Sequence, residues 1–148
     1  MSSAAAVPGE QGRPELEAPA HPYHRVVVSV DEVCELARTL PRSTEVVVRG
    51  RLKFRVGSIV WLAFSHDGTE LGFAFPKEWR QALVESEPEK YMLPRPSDLR
   101  FNWAEARLAA LDQDEMRELV LEAWSIVVPK YVVEEYRRSS RYTLDESR

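Results

Sequence analysis

The sequence lacks most of the residues and motifs that reveal a chemistry. Among its 148 residues is a single cysteine, Cys34, which excludes an intrachain disulfide and a multi-cysteine zinc site. No apolar run reaches the roughly 18 residues that a membrane-spanning helix needs. The sequence has no GxGxxG, P-loop, GxSxG or HExxH motif. We therefore predict a protein that is not an enzyme, with no catalytic residue, no metal and no cofactor.

The chain also lacks a net positive charge. The chain has 20 Lys and Arg residues against 24 Asp and Glu residues, which gives a formal net charge of −4. Such a protein does not coat nucleic acid by bulk charge, so any polyanion has to meet a local basic patch. Residues 1–25 are rich in Ala, Pro, Gly and Glu and lack the basic start and apolar core of a signal peptide. We expect them to be a disordered N-terminal tail on a cytoplasmic protein.

Capping signatures mark the first and the longest helix of the ordered part. Ser29 is followed by Glu32, and Asp112 by Glu115, and each pair opens a stretch of apolar residues at helical spacing. Pro41 ends the first helix. The polar segment at residues 137–148 is a C-terminal tail, either frayed or continuing the last helix. We place a single domain at residues 26–136.

The middle of the chain alternates short apolar runs with turn signals. Gly57-Ser58 and Asp67-Gly68 separate three strand-like runs, at 45–56, 60–64 and 70–75, which is typical of an antiparallel meander. A short helix and two further strands are predicted at 77–86, 91–93 and 100–108. The resulting order, α-β-β-β-α-β-β-α, predicts an α+β fold with an antiparallel sheet and helices packed on one face.

The register of the first hairpin decides where its cations point. A three-residue loop at 57–59 pairs Val56 with Val60 and gives a uniform apolar face, whereas a two-residue loop mixes charge into the apolar row. Because a one-residue slip moves every side chain to the other face, we predict the three-residue loop. The apolar face then holds Leu52, Phe54, Val56, Val60, Leu62, Phe64, Leu71, Phe73 and Phe75. Ala104, Ala106 and Leu108 also point inward. We expect Trp79 and Trp124 to anchor the core.

The opposite face of the predicted sheet combines cations with tryptophans. The candidate nucleic-acid-binding residues are Arg49, Arg51, Lys53, Arg55, Trp61, Trp103 and Arg107. Cations of this kind neutralise phosphates, and indoles stack on bases. The alternative interpretation is the ordinary solvated side of a half-buried sheet.

Five segments of the sequence carry a family resemblance. They are LPRSTEVVV (40–48), GRLKFRVGSIVWLAF (50–64), DGTELGFAFPKEWRQALVE (67–85), RFNWAEARLAALDQDEMRELVLEAW (100–124) and VVPK (127–130). Together they resemble the MmcQ/YjbR family over about 100 residues. The resemblance implies a fold of the type shared with secretion chaperones, with hairpins likened to a double wing, in proteins commonly labelled DNA-binding. It implies no catalytic residues. At residues 48–52 the chain departs from the Trp-Gly or His-Pro element of many members.

The sequence therefore predicts a small cytoplasmic binding protein of the MmcQ/YjbR type that binds DNA through its basic first hairpin. The alternative is a protein-interaction or small-anion-binding module without a nucleic-acid role. An enzyme acting on an anionic metabolite would require a pocket at which Arg55 and Arg107 converge.

Overall fold

The computed structural model describes residues 28–146, with side chains described as far as residue 140. The predicted N-terminal tail at residues 1–25 lies outside the described residues. Within residues 28–146 the chain forms six strands and four α-helices. In chain order they are α1 (Val30–Thr39), β1 (Thr44–Val48), β2 (Arg51–Val56), β3 (Ile59–Phe64), β4 (Glu70–Ala74), α2 (Lys77–Ser86), β5 (Tyr91–Met92), β6 (Trp103–Arg107), α3 (Gln113–Val127) and α4 (Lys130–Glu146).

The strands form one antiparallel sheet with the order β1-β2-β3-β4-β6-β5. The helices pack on one of its faces, which confirms the predicted α+β class. Both predicted capping boxes are present, since the side chains of Ser29 and Asp112 accept hydrogen bonds from the third residue of α1 and of α3. The apolar alternation buries Phe54, Leu62 and Leu71 under the helices. It also buries Ala104 and Ala106 of β6, and Leu108 directly after β6, as predicted.

The run predicted as one strand at 45–56 is a hairpin of two strands, so that prediction is wrong. Val48 pairs with Arg51, and Arg49 and Gly50 form the turn between them. Both turn residues have positive φ, 53° for Arg49 and 77° for Gly50, which is the conformation that a two-residue hairpin requires. Arginine seldom adopts it, so the sequence pattern did not indicate a turn there. Arg49 consequently lies at the hairpin tip and not in the row of cations.

The predicted three-residue loop between β2 and β3 is also wrong, because Val56 pairs with Ile59 across a two-residue turn. A β-bulge then restores the predicted register deeper in the hairpin, where Phe54 pairs with Leu62. The extra residue of the bulge is Trp61. A bulge re-aims the residue that it inserts, and Trp61 is 0% exposed, with its ring centroid 6.3 Å from that of Phe54. The expectation that Trp61 faces outward beside the arginines is therefore wrong.

The C-terminal segment continues as a helix, since α4 extends to Glu146 and the tail predicted from residue 137 begins inside it. Its Tyr136 ring contacts Trp124 at a centroid distance of 5.3 Å. Trp124 is a core anchor as predicted, and its indole Nε1 donates to the Pro41 carbonyl at 2.9 Å. Trp79 is not a core anchor, because it is 66% exposed. No helix among the described residues is long and apolar enough to cross a bilayer.

Candidate functional site

Two small residues open a trough on the face of the sheet that lies opposite the helices, which we call the open face. Ala63 of β3 and Ala74 of β4 form the floor, because their side chains add almost no height above the backbone. Longer side chains of β2 and β6 border the floor on either side, and at one end of the sheet the trough extends to the C-terminal end of α3. The trough has a volume of about 960 Å³. Its lining residues are Arg51, Lys53, Ser58, Ile59, Val60, Ala63, Ala74, Arg95, Asp98, Phe101, Asn102, Trp103, Glu105, Ile126 and Val127.

Arg51 and Lys53 of β2 form a cationic wall along one side of the trough. Lys53 pairs with Ala63 in the strand register, which places its side chain beside the floor. Arg51 is oriented by a hydrogen bond from its Nε to the Phe64 carbonyl, at 3.2 Å. Among the residues that the structure describes, no acid forms an ion pair with Arg51 or Lys53. Both half-buried cations are therefore available to an anionic ligand.

Trp103 forms the opposite, aromatic wall. It pairs with Ala74, and its indole extends across the neighbouring Gly72. A Cβ atom added at Gly72 would lie 2.6 Å from Cζ2 of the indole and 2.8 Å from Nε1. Real Cβ atoms do not approach other atoms so closely, so the indole can take this position only above a glycine. The absent side chain of Gly72 thus sets the orientation of Trp103.

Arg80 of α2 holds the backbone that carries this aromatic wall. Its Nη1 donates to the carbonyls of Phe101 at 3.0 Å and of Trp103 at 2.9 Å, and its Nη2 donates to the Leu99 carbonyl at 2.8 Å. The residue is only 8% exposed. A buried guanidinium that is shared among three carbonyls fixes the loop before β6, because each lost bond would leave a desolvated polar group.

Glu105 adds a carboxylate next to Trp103 on β6. It pairs with Gly72 in the register and is half-buried. Burial raises the pKa of Glu105, and the nearby charges of Glu70 and Asp98 raise it further, whereas Arg51 and Arg95 lower it. The trough therefore offers a ligand two cations on one wall and a ring with a hydrogen-bond acceptor on the other.

The structure brings together three of the seven residues predicted from sequence, namely Arg51, Lys53 and Trp103. Arg55 is exposed on the same strand but outside the trough, and Arg49 is exposed at the hairpin tip. Trp61 is buried on the opposite face.

Arg107 does not line the trough, because its guanidinium is bound to backbone carbonyls outside it. Its Nη1 donates to the carbonyls of Glu89 at 2.9 Å and of Pro88 at 3.4 Å, so it supports the segment that leads into β5. Arg55 and Arg107 therefore do not converge on the trough, and the pocket that the enzyme hypothesis required is not formed by them.

Sequence reasoning missed several residues that border the trough. Arg95, Phe101 and Asn102 lie in the irregular segment between β5 and β6, where no periodicity indicates orientation. Arg95 Nε contacts Asp98 Oδ2 at 3.3 Å, and the Phe101 ring lies under the Arg100 guanidinium at 4.7 Å. The one signal for the trough was the row of small residues at alternate positions of two adjacent strands.

The fold and the trough define a class, the single-sheet α+β domain with helices on one face and a charged groove on the other. A family model named YjbR matches residues 38–126, more than half of the chain, and the chain belongs to the YjbR family. All residues that line the trough except Val127 lie within the match. The resemblance found in the sequence is thereby confirmed.

A solved structure supports the same fold. The crystal structure of Deinococcus radiodurans protein DR2400, which has a DUF419 domain, is similar with a TM-score of 0.60 and 18% identity over 74% of this chain and 88% of that chain. At this identity the likeness shows the fold alone. A search of curated proteins finds no match to this chain.

Proposed function

We propose that the chain is a small cytoplasmic DNA-binding protein whose site is the trough, and that it binds single-stranded DNA there. One observation carries the proposal: the unpaired cations Arg51 and Lys53 face the indole of Trp103 across a floor of small residues. Proteins that bind single strands combine a positive groove for the backbone with aromatic rings on which bases stack. In a duplex the base faces are covered by neighbouring bases, so the indole favours an unpaired strand.

The remaining cations of the first hairpin extend the same surface beyond the trough. Arg55 is exposed on the strand that carries Arg51 and Lys53, and Arg49 is exposed at the tip of the hairpin. Arg49 lies at one end of this row and Arg55 at the other, so a nucleic-acid strand that runs along β2 meets one guanidinium at each end of the trough. These four cations make a local basic patch on a protein with a net charge of −4. An acidic protein needs such a patch to bind a polyanion.

Binding without catalysis is the second part of the proposal. The sequence offers Cys34 as its one thiol, and that residue is buried in α1 on the helical side of the sheet. Burial raises the pKa of Cys34 to about 11, so the thiolate needed for nucleophilic attack is scarce at neutral pH. This supports a binding role for the open face.

Fluorescence anisotropy with a labelled oligonucleotide tests the proposal. We expect tighter binding of a single strand than of the matching duplex. If four phosphates are contacted, the logarithm of affinity should fall against the logarithm of salt concentration with a slope of about −2.8. Absence of binding at low salt, or a flat salt response, would sink the proposal.

A charge-matched pair of double variants locates the surface. Lys53→Ala with Arg55→Ala should weaken binding and flatten the salt slope by about 1.4, since two phosphate contacts are lost. Arg117→Ala with Arg138→Ala removes the same charge from exposed positions on α3 and α4 and should leave the slope unchanged. Equal losses in the two variants would mean that bulk charge, and not the trough, governs binding.

A second candidate is a small anion that carries a planar ring, such as a free mononucleotide. It is favoured by the apolar side chains of Ile126 and Val127, which border the trough and limit its extent. The same anisotropy assay separates the two candidates by competition. If a mononucleotide displaces the oligonucleotide at a concentration similar to that of the oligonucleotide itself, the small ligand is the better description of the site.

A further inference from the structure

The two edges of the sheet differ in how well they are protected. At one edge β5 is only two residues long, and its Tyr91 is half-buried. At the other edge β1 has five residues, TEVVV, whose pairing with β2 is continuous from Thr44 to Val48. Short strands, bulges, Pro and charged side chains are the features that normally block an edge. Of these β1 carries only the charge of Glu45, which is paired with Arg38, and no described strand pairs with the outer side of β1.

The hairpin turn determines which backbone groups of β1 point outward. A two-residue turn is closed by a hydrogen bond between its flanking residues, here Val48 and Arg51. Because inward and outward groups alternate along an antiparallel strand, Val46 and Thr44 also bond to β2. The N–H and C=O groups of Glu45 and Val47 therefore point away from the sheet. They form a short, regular row of donors and acceptors.

We propose that β1 is a homodimer interface, at which the β1 strands of two copies pair antiparallel about a two-fold axis through Val46. In this register Glu45 of each copy lies opposite the partner's Val47. The outward N–H and C=O groups of both residues are then satisfied by four hydrogen bonds. The proposal is independent of the nucleic-acid function.

The side chains of β1 suit a second copy of the same strand. Val47 is 69% exposed and Val48 is 43% exposed, and both would be covered by the partner strand. The only charge on the strand, Glu45, is bound by Arg38 of its own copy, with Nε–Oε1 at 2.7 Å and Nη2–Oε2 at 3.0 Å. The proposed register sets each carboxylate opposite a valine, so no like charges face each other across the axis.

The pairing would join the basic surfaces of the two copies. A two-fold axis perpendicular to the sheet keeps both open faces on the same side. Val46 pairs with Lys53 within each copy, so the two Lys53 residues would lie three strand spacings apart, about 14 Å. The dimer therefore presents two basic rows on one continuous face of paired sheets.

A cysteine placed on the axis tests the register directly. Opposed residues of a non-hydrogen-bonded pair have Cα atoms about 4.5 Å apart, within the range that a disulfide spans. We expect Val46→Cys to form an intermolecular disulfide under mild oxidation. Val48→Cys is the matched control: its side chain is more exposed, but its counterpart is several residues away across the axis, so it should remain largely monomeric in a non-reducing gel. Equal cross-linking of both variants would overturn the register.

Sedimentation velocity tests the dimer without a cross-link. The interface is small, so we expect association at micromolar concentration or weaker, in a series that extends to the millimolar level. Val47→Glu sets a carboxylate opposite the partner's Glu45, a like-charge pair on each side of the axis, and Val47→Pro removes an outward N–H without breaking the β1–β2 ladder. Both should be monomeric, whereas Trp79→Glu, at a similarly exposed apolar residue far from β1, should still associate. A wild-type protein that stays monomeric throughout, or association that survives in both Val47 variants, would refute the proposal.

Discussion

The two faces of the sheet are built from the same strands but follow different rules. On the helical face, large apolar side chains such as Phe54, Leu62 and Leu71 fill the space under the helices almost completely. On the open face, the middle strands carry Ala63 and Ala74, and the functional groups stand at the sides of the floor that these small residues leave. The helical face is therefore specified by the side chains that are present, and the open face by those that are missing. Substitutions can separate the two.

Trp61 is the strongest test of this separation, because the sequence pattern placed it on the open face and the structure places it in the core. We expect Trp61→Ala to lower the free energy of unfolding by about 3–5 kcal/mol, since it leaves a large cavity. Chemical denaturation with fluorescence of the remaining tryptophans measures the loss. At low temperature the folded fraction should still bind single-stranded DNA with unchanged affinity.

Trp61→Phe provides a matched control for that prediction. The indole Nε1 of Trp61 is buried without an acceptor among the described residues, so a phenylalanine at this position removes an unsatisfied donor together with part of the ring. We expect a smaller loss than in Trp61→Ala, because the ring that remains fills most of the cavity. A Trp61→Phe variant that is stable but no longer binds the oligonucleotide would show that the indole acts on the open face after all.

Arg80 supports the open face from behind. Arg80→Ala leaves three carbonyls around residues 99–103 without their donor, and we expect it to lower the free energy of unfolding by about 3 kcal/mol. It should also weaken oligonucleotide binding, because the loop that positions Trp103 is released. Arg107→Ala is the control, since that guanidinium also donates to two carbonyls but is exposed. A loss in Arg107→Ala as large as in Arg80→Ala would mean that burial does not explain the effect.

Gly72 lies beneath the aromatic wall of the trough. Gly72→Ala should displace the indole of Trp103 and lower the free energy of unfolding by about 2 kcal/mol, a cost typical of overpacking. Combining it with Trp103→Ala should recover most of this stability, because the clash disappears, while oligonucleotide binding stays weak. A double-mutant cycle of unfolding free energies measures the coupling. Additive losses in the cycle would show that the two residues do not interact.

Much of the helical face could be predicted from the sequence. The alternation of Ala104, Ala106 and Leu108 indicated inward positions, and all three are buried. The predictions failed where the backbone departs from ideal geometry. Arg49 occupies a left-handed turn position at which Gly or Asn is usual. No recognisable sequence signal therefore marks the turn of the first hairpin. A β-bulge turns Trp61 to the helical face, and a bulge cannot be predicted from the alternation of apolar and polar residues.

The site was predictable only in part, for a related reason. Arg51 and Lys53 belong to a regular strand, and their direction follows from its alternation. Arg95 and Phe101 belong to an irregular segment that is held in place by Arg80, a residue 15 positions from one and 21 from the other along the chain. Such tertiary hydrogen bonds leave no local pattern in the sequence. The complete lining of the trough can therefore be recognised only in the folded structure.

Substitution of Glu105, on the open face, is expected to have the smallest effect on the free energy of unfolding, and this effect depends on pH. The folded-state pKa of Glu105 is raised, mainly by burial, so the folded protein holds this proton more tightly than the unfolded chain does. Stability contributed by the protonated form is present below the ordinary glutamate range and is lost as pH rises through the folded pKa. Relative to wild type, Glu105→Gln should therefore become more stable as pH rises from the acidic range to neutral.

Denaturant titrations of both proteins at acidic and neutral pH measure this difference. Glu70→Gln serves as the comparison variant. Glu70 pairs with Arg107, two residues along the strands from the Gly72–Glu105 pair, and its charge raises the pKa of Glu105 less than burial does. It should reproduce the trend more weakly. If Glu105→Gln follows the wild-type pH profile without divergence, the open face does not desolvate this carboxylate. Glu105 would then be an ordinary solvated residue, and the aromatic wall of the trough would lack its buried acceptor.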